Sequence, residues 1–377
     1  MRPLPPLPPW LALAQQELRA LLAMNPSDRG WHLPLAAALA SGLPLLVGAF
    51  FGRLDYGLVS SLGGMVFLYT PHQPLAQRMG VVMACALGMT ACFALGLLGA
   101  LHPALRVVLL TVLTTAVTLV CRIYRVNPPG SLFFIMAVSI GAYMPFDLQA
   151  LPTRVGLLVL GSILATGMAF LYSLTLLRQG PPPPAAAPLQ GPALEDFGPD
   201  TLIIGLTVGL SLLVAEALQL DRPYWVPVSC LAVIQGASFR MVWAKQAHRI
   251  AGTGIGLGLA WLLLSLPMNV WMVCATMILL TFVIELLVVR HYGLAMIFIT
   301  PLTLFLADAG AGMSANTPAL IAARFWDIAL GSTIGLLGGF AIHHARSRAL
   351  LLRCLRPFWP QTPARPRPAP PPTGHPR

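Results

Sequence analysis

Arginine supplies most of the ligand-selecting chemistry in this chain. Three arginines recur in matched places, Arg78 with Arg249, Arg122 with Arg290 and Arg154 with Arg324, each pair roughly 170 residues apart. A guanidinium presents a planar fork that fits a carboxylate, so matched arginines facing a shared interior point to an anionic ligand. Arg154 and Arg324 are the foremost candidates, at the starts of two corresponding apolar segments, with Arg122 and Arg290 as a second pair. The competing role is structural, because arginine at a helix end commonly snorkels to the interface as a topology anchor.

Acids appear in one half of each matched pattern only. Asp327 follows Arg324 by three residues and shares its helix face, so it can neutralise that arginine or release it on protonation. Val155 to Leu158 offer no acid at the corresponding place. Glu285 lies about a turn before Arg290, where the first half has Val117, and Glu216 stands near the end of another apolar run. A titrating group in the path is what proton coupling needs, so Asp327 and Glu285 are candidates for it, with a local ion pair as the alternative. Tyr224 and Trp225, within Arg222-Pro223-Tyr224-Trp225-Val226-Pro227, suit either an interfacial belt or the wall of a path for aromatic compounds. Asp55-Tyr56 stands at the matching place.

Other chemistries lack their residues. Lys245 is the single lysine, and no G-x-x-x-x-G-K-[ST] loop surrounds it, so no phosphate-binding loop is present. There is no H-E-x-x-H, G-x-S-x-G or C-x-x-C. Gly312-Met313-Ser314 with His343 lacks the glycine that would follow a nucleophilic serine. No catalytic residue, metal or cofactor is expected, and the six scattered cysteines read as small buried apolar groups.

The elements that must position these residues are apolar helices. The 377 residues are 57% hydrophobic and only 9% charged, with a mean hydropathy of +0.77. Soluble chains carry about 25% charged residues. Apolar stretches near the length a bilayer demands recur from Leu33 to His343, and inside lipid a helix is the element that pairs its own backbone groups. Six helices are expected at 33–51, 56–70, 79–99, 104–121, 131–145 and 154–177. Six more are expected at 201–218, 224–236, 250–266, 270–289, 293–307 and 324–343. The second and fifth of each set are short.

The chain therefore divides into a leader (1–30), a first transmembrane repeat (31–177), a Pro-rich linker (178–200), a second repeat (201–345) and an Arg/Pro-rich disordered tail (346–377). Trp10 to Met24 reads as an interfacial amphipathic helix, not a signal peptide. Glycine and alanine at every fourth position mark packing faces: Gly80, Ala84 and Gly88; Gly161, Ala165 and Ala169; Gly252, Gly256 and Ala260; Gly331, Gly335 and Gly339. The net charge of +11 punctuates the apolar runs and does not gather on a soluble face, which argues against nucleic acid. Counting Arg and Lys in the loops puts both termini in the cytoplasm. An even helix number per half makes the repeats parallel.

Tyr224-Trp225-Val226-Pro227, the run Arg249 to Gly256, and Arg324 with Asp327 and Gly331 together resemble the signature of the FUSC family, the fusaric-acid-resistance-like membrane transporters that include aromatic acid exporters. Asp55-Tyr56, Arg78 to Gly80 and Arg154 to Gly161 look like a degenerate copy, so the resemblance covers about 31–345. It implies export of organic or aromatic acids across a bacterial inner membrane, driven by the proton gradient. It is also distantly similar to the plant malate-channel architecture. The linker is too short for the soluble cytoplasmic domain found in many members. The expected fold is all-α and polytopic, about twelve transmembrane helices in two parallel six-helix repeats. The expected function is a proton-coupled exporter of small anionic or aromatic compounds. A passive anion channel and a non-transporting membrane scaffold are the alternatives. The lipid bilayer is an expected partner, and a periplasmic adaptor or a homo-oligomer is left open.

Overall fold

The computed structural model describes residues 19, 21–27, 29–126, 128–177, 194–310, 317–344 and 353. Most of the expected leader helix, most of the linker and nearly all of the tail lie outside them. Among the described residues the regular structure is helical: α1 (His32–Phe50), α2 (Leu54–Gly64, continued by a 3-10 turn at Met65–Tyr69), α3 (Leu75–Gly99), α4 (Pro103–Ile123), α5 (Leu132–Ala142), α6 (Leu151–Leu177), α7 (Leu194–Ala217), α8 (Trp225–Ile234), α9 (Phe239–Leu264), α10 (Val270–Leu287), α11 (Tyr292–Gly310) and α12 (Thr317–His343). Eight are long and apolar enough to cross a membrane. The protein is therefore a polytopic all-α membrane protein.

Local sequence sets several of the ends. Pro103 occupies the first turn of α4, where no backbone N–H is needed, behind a His102 side chain that accepts from the Ala104 N–H. Ser238 accepts from the Met241 N–H and Asn269 from the Met272 N–H, which start α9 and α10. Three starts differ from expectation in a way that matters. Helix α9 begins at Phe239, not near 250, because the capped polar stretch before Arg249 is itself helical. Helix α12 begins at Thr317, so Arg324 lies two turns inside it and not at its edge. Helix α7 begins at Leu194, so the last residues of the expected linker are helical.

Large apolar side chains such as Leu87, Leu160, Ile163, Ile255 and Leu279 face outward, the surface that lipid covers. Without a hydrophobic drive between helices in lipid, close backbone approach holds the bundle together. A Cβ added at Gly161 would strike the Ser60 backbone on α2, and one at Gly331 would strike Val226 on α8. Gly335 lies equally close to Cys230. The same kind of contact joins α3 to α5 through Gly96 and Gly141, and α9 to α11 through Gly252 and Gly256. The expected face at Gly80, Ala84 and Gly88 is packed only at Gly88, which abuts Phe134 on α5. Nothing lies within 4 Å of a Cβ at Gly80, and Ala84 is exposed. The packed stripe of α3 runs instead through Met89, Cys92, Phe93 and Gly96.

The helix pairings recur six places along. Helix α2 packs on α6 and α8 on α12; α3 packs on α5 and α9 on α11. Between the halves α4 lies along α7, and α10 lies along α1. At these seams Gly205 and Gly209 abut Thr115 and Thr111, and Gly42 abuts Ile278. The five described cysteines are free and buried.

Glycine spacing gives a paired expectation. Gly331→Val should abolish recovery of monodisperse protein in detergent, because α8 and α12 cannot separate without losing the packing on both. Gly80→Ala should fold normally and gain about 0.5–1 kcal/mol of helix propensity. Size-exclusion profiles and melting temperatures of the two variants check this.

Candidate functional site

A cavity of about 1000 Å³ lies among the helices of both halves. Its wall includes residues from both ends of the bundle, from Arg29, Thr70 and Pro128 to Arg53, Arg154 and Arg222. Most of the surface is apolar, with Phe67, Phe133, Met136 and Met277 among the lining residues. Six arginines line it (Arg29, Arg53, Arg154, Arg222, Arg249, Arg324) against two acids, Asp55 and Glu285. One acid is already engaged: Asp55 receives Arg53 through two hydrogen bonds, of 3.1 and 2.9 Å. The remaining balance is strongly positive.

Helix α8 organises the centre of this wall. It is only ten residues long. One of its faces carries Trp225, Val228, Ser229 and Ala232, spaced at three and four residues. The Arg324 guanidinium lies over the Trp225 ring, 4.3 Å from its centroid. One turn along, Ser229 accepts from Arg249 at 3.0 Å, and Tyr292 on α11 accepts from the same arginine at 2.8 Å. Trp225 and Ser229 are four residues apart, a rise of about 6 Å, so α8 holds two guanidiniums at neighbouring levels of one wall. Arg324 is 4% exposed and Arg249 6%. No ion pair to a carboxylate satisfies either one among the described residues, and Nε of both and Nη1 of Arg324 have no hydrogen-bond partner. Cation–π stacking offsets part of the cost for Arg324. Neutral hydroxyls serve Arg249. Neither supplies a counter-charge.

The other sequence candidates are dispersed. Arg154 lines the same cavity and donates to the Pro145 carbonyl. Tyr224 and Trp225 both line it, with rings 5.2 Å apart. Glu285 is 9% exposed and lines the cavity. Arg122 stands apart from the cavity wall and pairs with Asp200 at 3.4 Å across the α4–α7 seam. Arg290, after the end of α10, is also outside the wall, and its carbonyl accepts from the Asn25 N–H. Asp327 is 1% exposed and faces a separate, smaller pocket. Arg78, the sequence counterpart of Arg249, bonds Ser173 and does not reach the cavity. Glu216 is engaged through one oxygen: Arg106 donates to its Oε1 at 2.8 Å and the Tyr143 hydroxyl at 2.6 Å. Arg106 also lies over the Tyr143 ring, which meets Tyr224 at 5.8 Å.

Sequence reading missed Arg222, Arg29 and Tyr143 as wall residues, and it placed Arg249 at a helix edge. For Arg249 the signal was there in the capping serine at 238, which starts α9 early enough to carry the arginine ten residues into the helix. No group of three or more His, Cys, Asp or Glu that would hold a metal is gathered among the described residues.

Comparison with known proteins finds similarity in the second half of the chain. Residues 210–338, which contain α8, Arg249 and Arg324, match the family described as fusaric acid resistance protein-like. That part of the chain is similar to the FUSC family. A curated relative, "Uncharacterized membrane protein YvaC" of Bacillus subtilis (strain 168), is 30% identical over 141 residues, 37% of this chain. The match spans 22% of the length of that relative. No solved structure matches.

The Arg106–Glu216–Tyr143 clasp ties α4 and α5 to α7 beside the cavity. Glu216→Gln keeps an acceptor for Tyr143 but leaves Arg106 without its charge partner. It should cost about 2 kcal/mol and lower the melting temperature in detergent. An unchanged melting temperature would show that the clasp is not a structural tie.

Proposed function

We propose that this protein is a transporter exporting small organic anions, aromatic carboxylates among them, across a bacterial inner membrane with both termini in the cytoplasm. On this reading α1–α6 and α7–α12 are two parallel repeats joined by residues 178–193, with an anion path between them. The recurrence of the helix pairings six places along supports the repeat, as do the two seams where α4 meets α7 and α10 meets α1.

The observation that carries the proposal is the pair Arg324 and Arg249, buried side by side in a cavity wall without a carboxylate partner. Such a charge costs on the order of 2.5–3.5 kcal/mol at membrane depth on insertion scales, and more where it is unpaired. A visiting carboxylate relieves that cost and gains charge-assisted hydrogen bonds from the fork. Tyr224 and Trp225 beside it, with Tyr143 behind, give a flat apolar flank suited to a planar ring. Arg154 and Arg222 attract the anion toward the same wall. Arg122 and Arg290 then act as anchors or second-line attractors outside the cavity. The bilayer supplies the remaining surroundings, and an adaptor or a second copy is not required by this reading.

Glu285 is the acid best placed for proton coupling, because its carboxyl lines the cavity and has no counterpart in the first half. A passive anion channel is the second reading. It is favoured by one observation, the reach of the cavity lining toward both ends of the bundle.

Three variants test these readings in proteoliposomes loaded with benzoate-type acids. Arg324→Ala should reduce anion flux at least about tenfold at normal protein abundance, and Arg324→Lys, which keeps the charge but not the fork, should recover only part of it. Flux unaffected in Arg324→Ala would remove the arginine from the path. Glu285→Gln should abolish uphill transport driven by a pH gradient while leaving downhill flux. A protein whose flux never depended on the gradient, before or after the substitution, is a channel.

A further inference from the structure

Helix α12 turns a second face toward the turn that joins α7 to α8. Ala319, Ala322, Ala323, Trp326 and Asp327 line one side of a pocket of about 330 Å³, and Gln219, Leu220 and Asp221 line the other. None of these residues lines the anion cavity. Asp327 is 1% exposed, faces this pocket, and has no hydrogen-bond partner on either carboxylate oxygen. Arg324, three residues earlier, is turned to Trp225, and no ion pair joins it to Asp327.

A carboxyl group in this position is poorly served in either protonation state. As an anion it needs a counter-charge; as an acid it needs an acceptor for its O–H and a donor for its C=O. A small metal cation meets both oxygens at once. Hard cations take oxygen ligands, and the same pocket offers the exposed Asp221 carboxylate and the Gln219 amide oxygen. Water occupies about 30 Å³ per molecule, so the pocket has room for several to complete a coordination shell. The charged groups whose fields reach Asp327 are Arg324 on its own helix and Asp221 and Arg222 on the turn. Two guanidiniums against two carboxylates leave the surroundings near balance, which tolerates one added positive charge better than two.

We propose that the pocket between the α7–α8 turn and α12 binds a small monovalent metal cation, of sodium size, through Asp327 with Asp221 at its mouth. Trp326 and the three alanines give the pocket an apolar side that offers no competing ligand. The proposal does not depend on what the anion cavity carries.

Calorimetry on the full chain in detergent, exchanged into choline chloride and free of organic acid, tests it. Titrated sodium chloride should give saturable binding that choline chloride does not. Asp327→Asn should weaken it roughly tenfold or more, and Asp221→Asn measurably less. Asp221 is exposed, so its variant keeps the test alive if Asp327→Asn does not fold. The proposal fails if sodium gives no saturable heat beyond choline, if both variants bind as tightly as the parent, or if the heat follows pH and ignores sodium. Because no organic anion is present, those results leave the transport reading standing, and a failed flux assay leaves this one standing.

Discussion

Two guanidinium groups are buried next to one another, neither in an ion pair with a carboxylate among the described residues, and the rest of the bundle is arranged around that fact. Arg324 relies on the face of Trp225, and Arg249 on the hydroxyls of Ser229 and Tyr292. Desolvating a cation without a counter-charge is among the least favourable things a membrane protein can do. The arrangement persists because the packing around it fixes both side chains, and both residues line the cavity. An electropositive hollow with apolar and aromatic walls follows directly, and a ligand that is anionic with a flat apolar body complements it.

Short helices make this geometry feasible. Helix α8 rises only about 15 Å, half the thickness of the hydrocarbon, so its residues start partway into the bundle instead of at the surface. Gly331 and Gly335 let α12 lie directly against its backbone. That contact brings Arg324 over Trp225. The Gly252 and Gly256 contact does the same for α9 on α11, bringing Arg249 within reach of Tyr292. Glycine at four positions thus sets two charges one turn apart along α8. In the first half the α2–α6 crossing is equally close, yet Arg78 bonds Ser173 away from the cavity. The halves share packing and differ in chemistry.

Much of the helical order was legible in the sequence because apolar runs in lipid leave little choice of structure. Arg324 could be singled out from its recurrence with Arg154, and Tyr224 and Trp225 from their place in the run Arg222 to Pro227. The depth of a charge was harder to read. Arg249 looks like a helix-edge anchor until the polar stretch from Phe239 is recognised as helical. Arg122 looked equivalent to a path residue, but its partner is Asp200, which the sequence placed in a linker. Glu216 looked free and is held by Arg106 and Tyr143 from another part of the chain. Each of these outcomes depends on a contact between segments far apart in sequence, which spacing along one helix does not encode. The glycine stripe on α3 carries the same lesson: the period was present at Gly80 to Gly88, but the neighbouring helix packs only from Gly88 onward.

The central claim is that the two free guanidiniums hold an anion inside the cavity. A structure determined with a bromine-labelled benzoate, locating bromine by its anomalous signal, tests it most directly. The account predicts the carboxylate bonded to Arg324 and Arg249 from within the cavity, with the ring against Trp225 or Tyr224. Bromine located only outside the bundle, with both arginines capped by protein carboxylates, would contradict it.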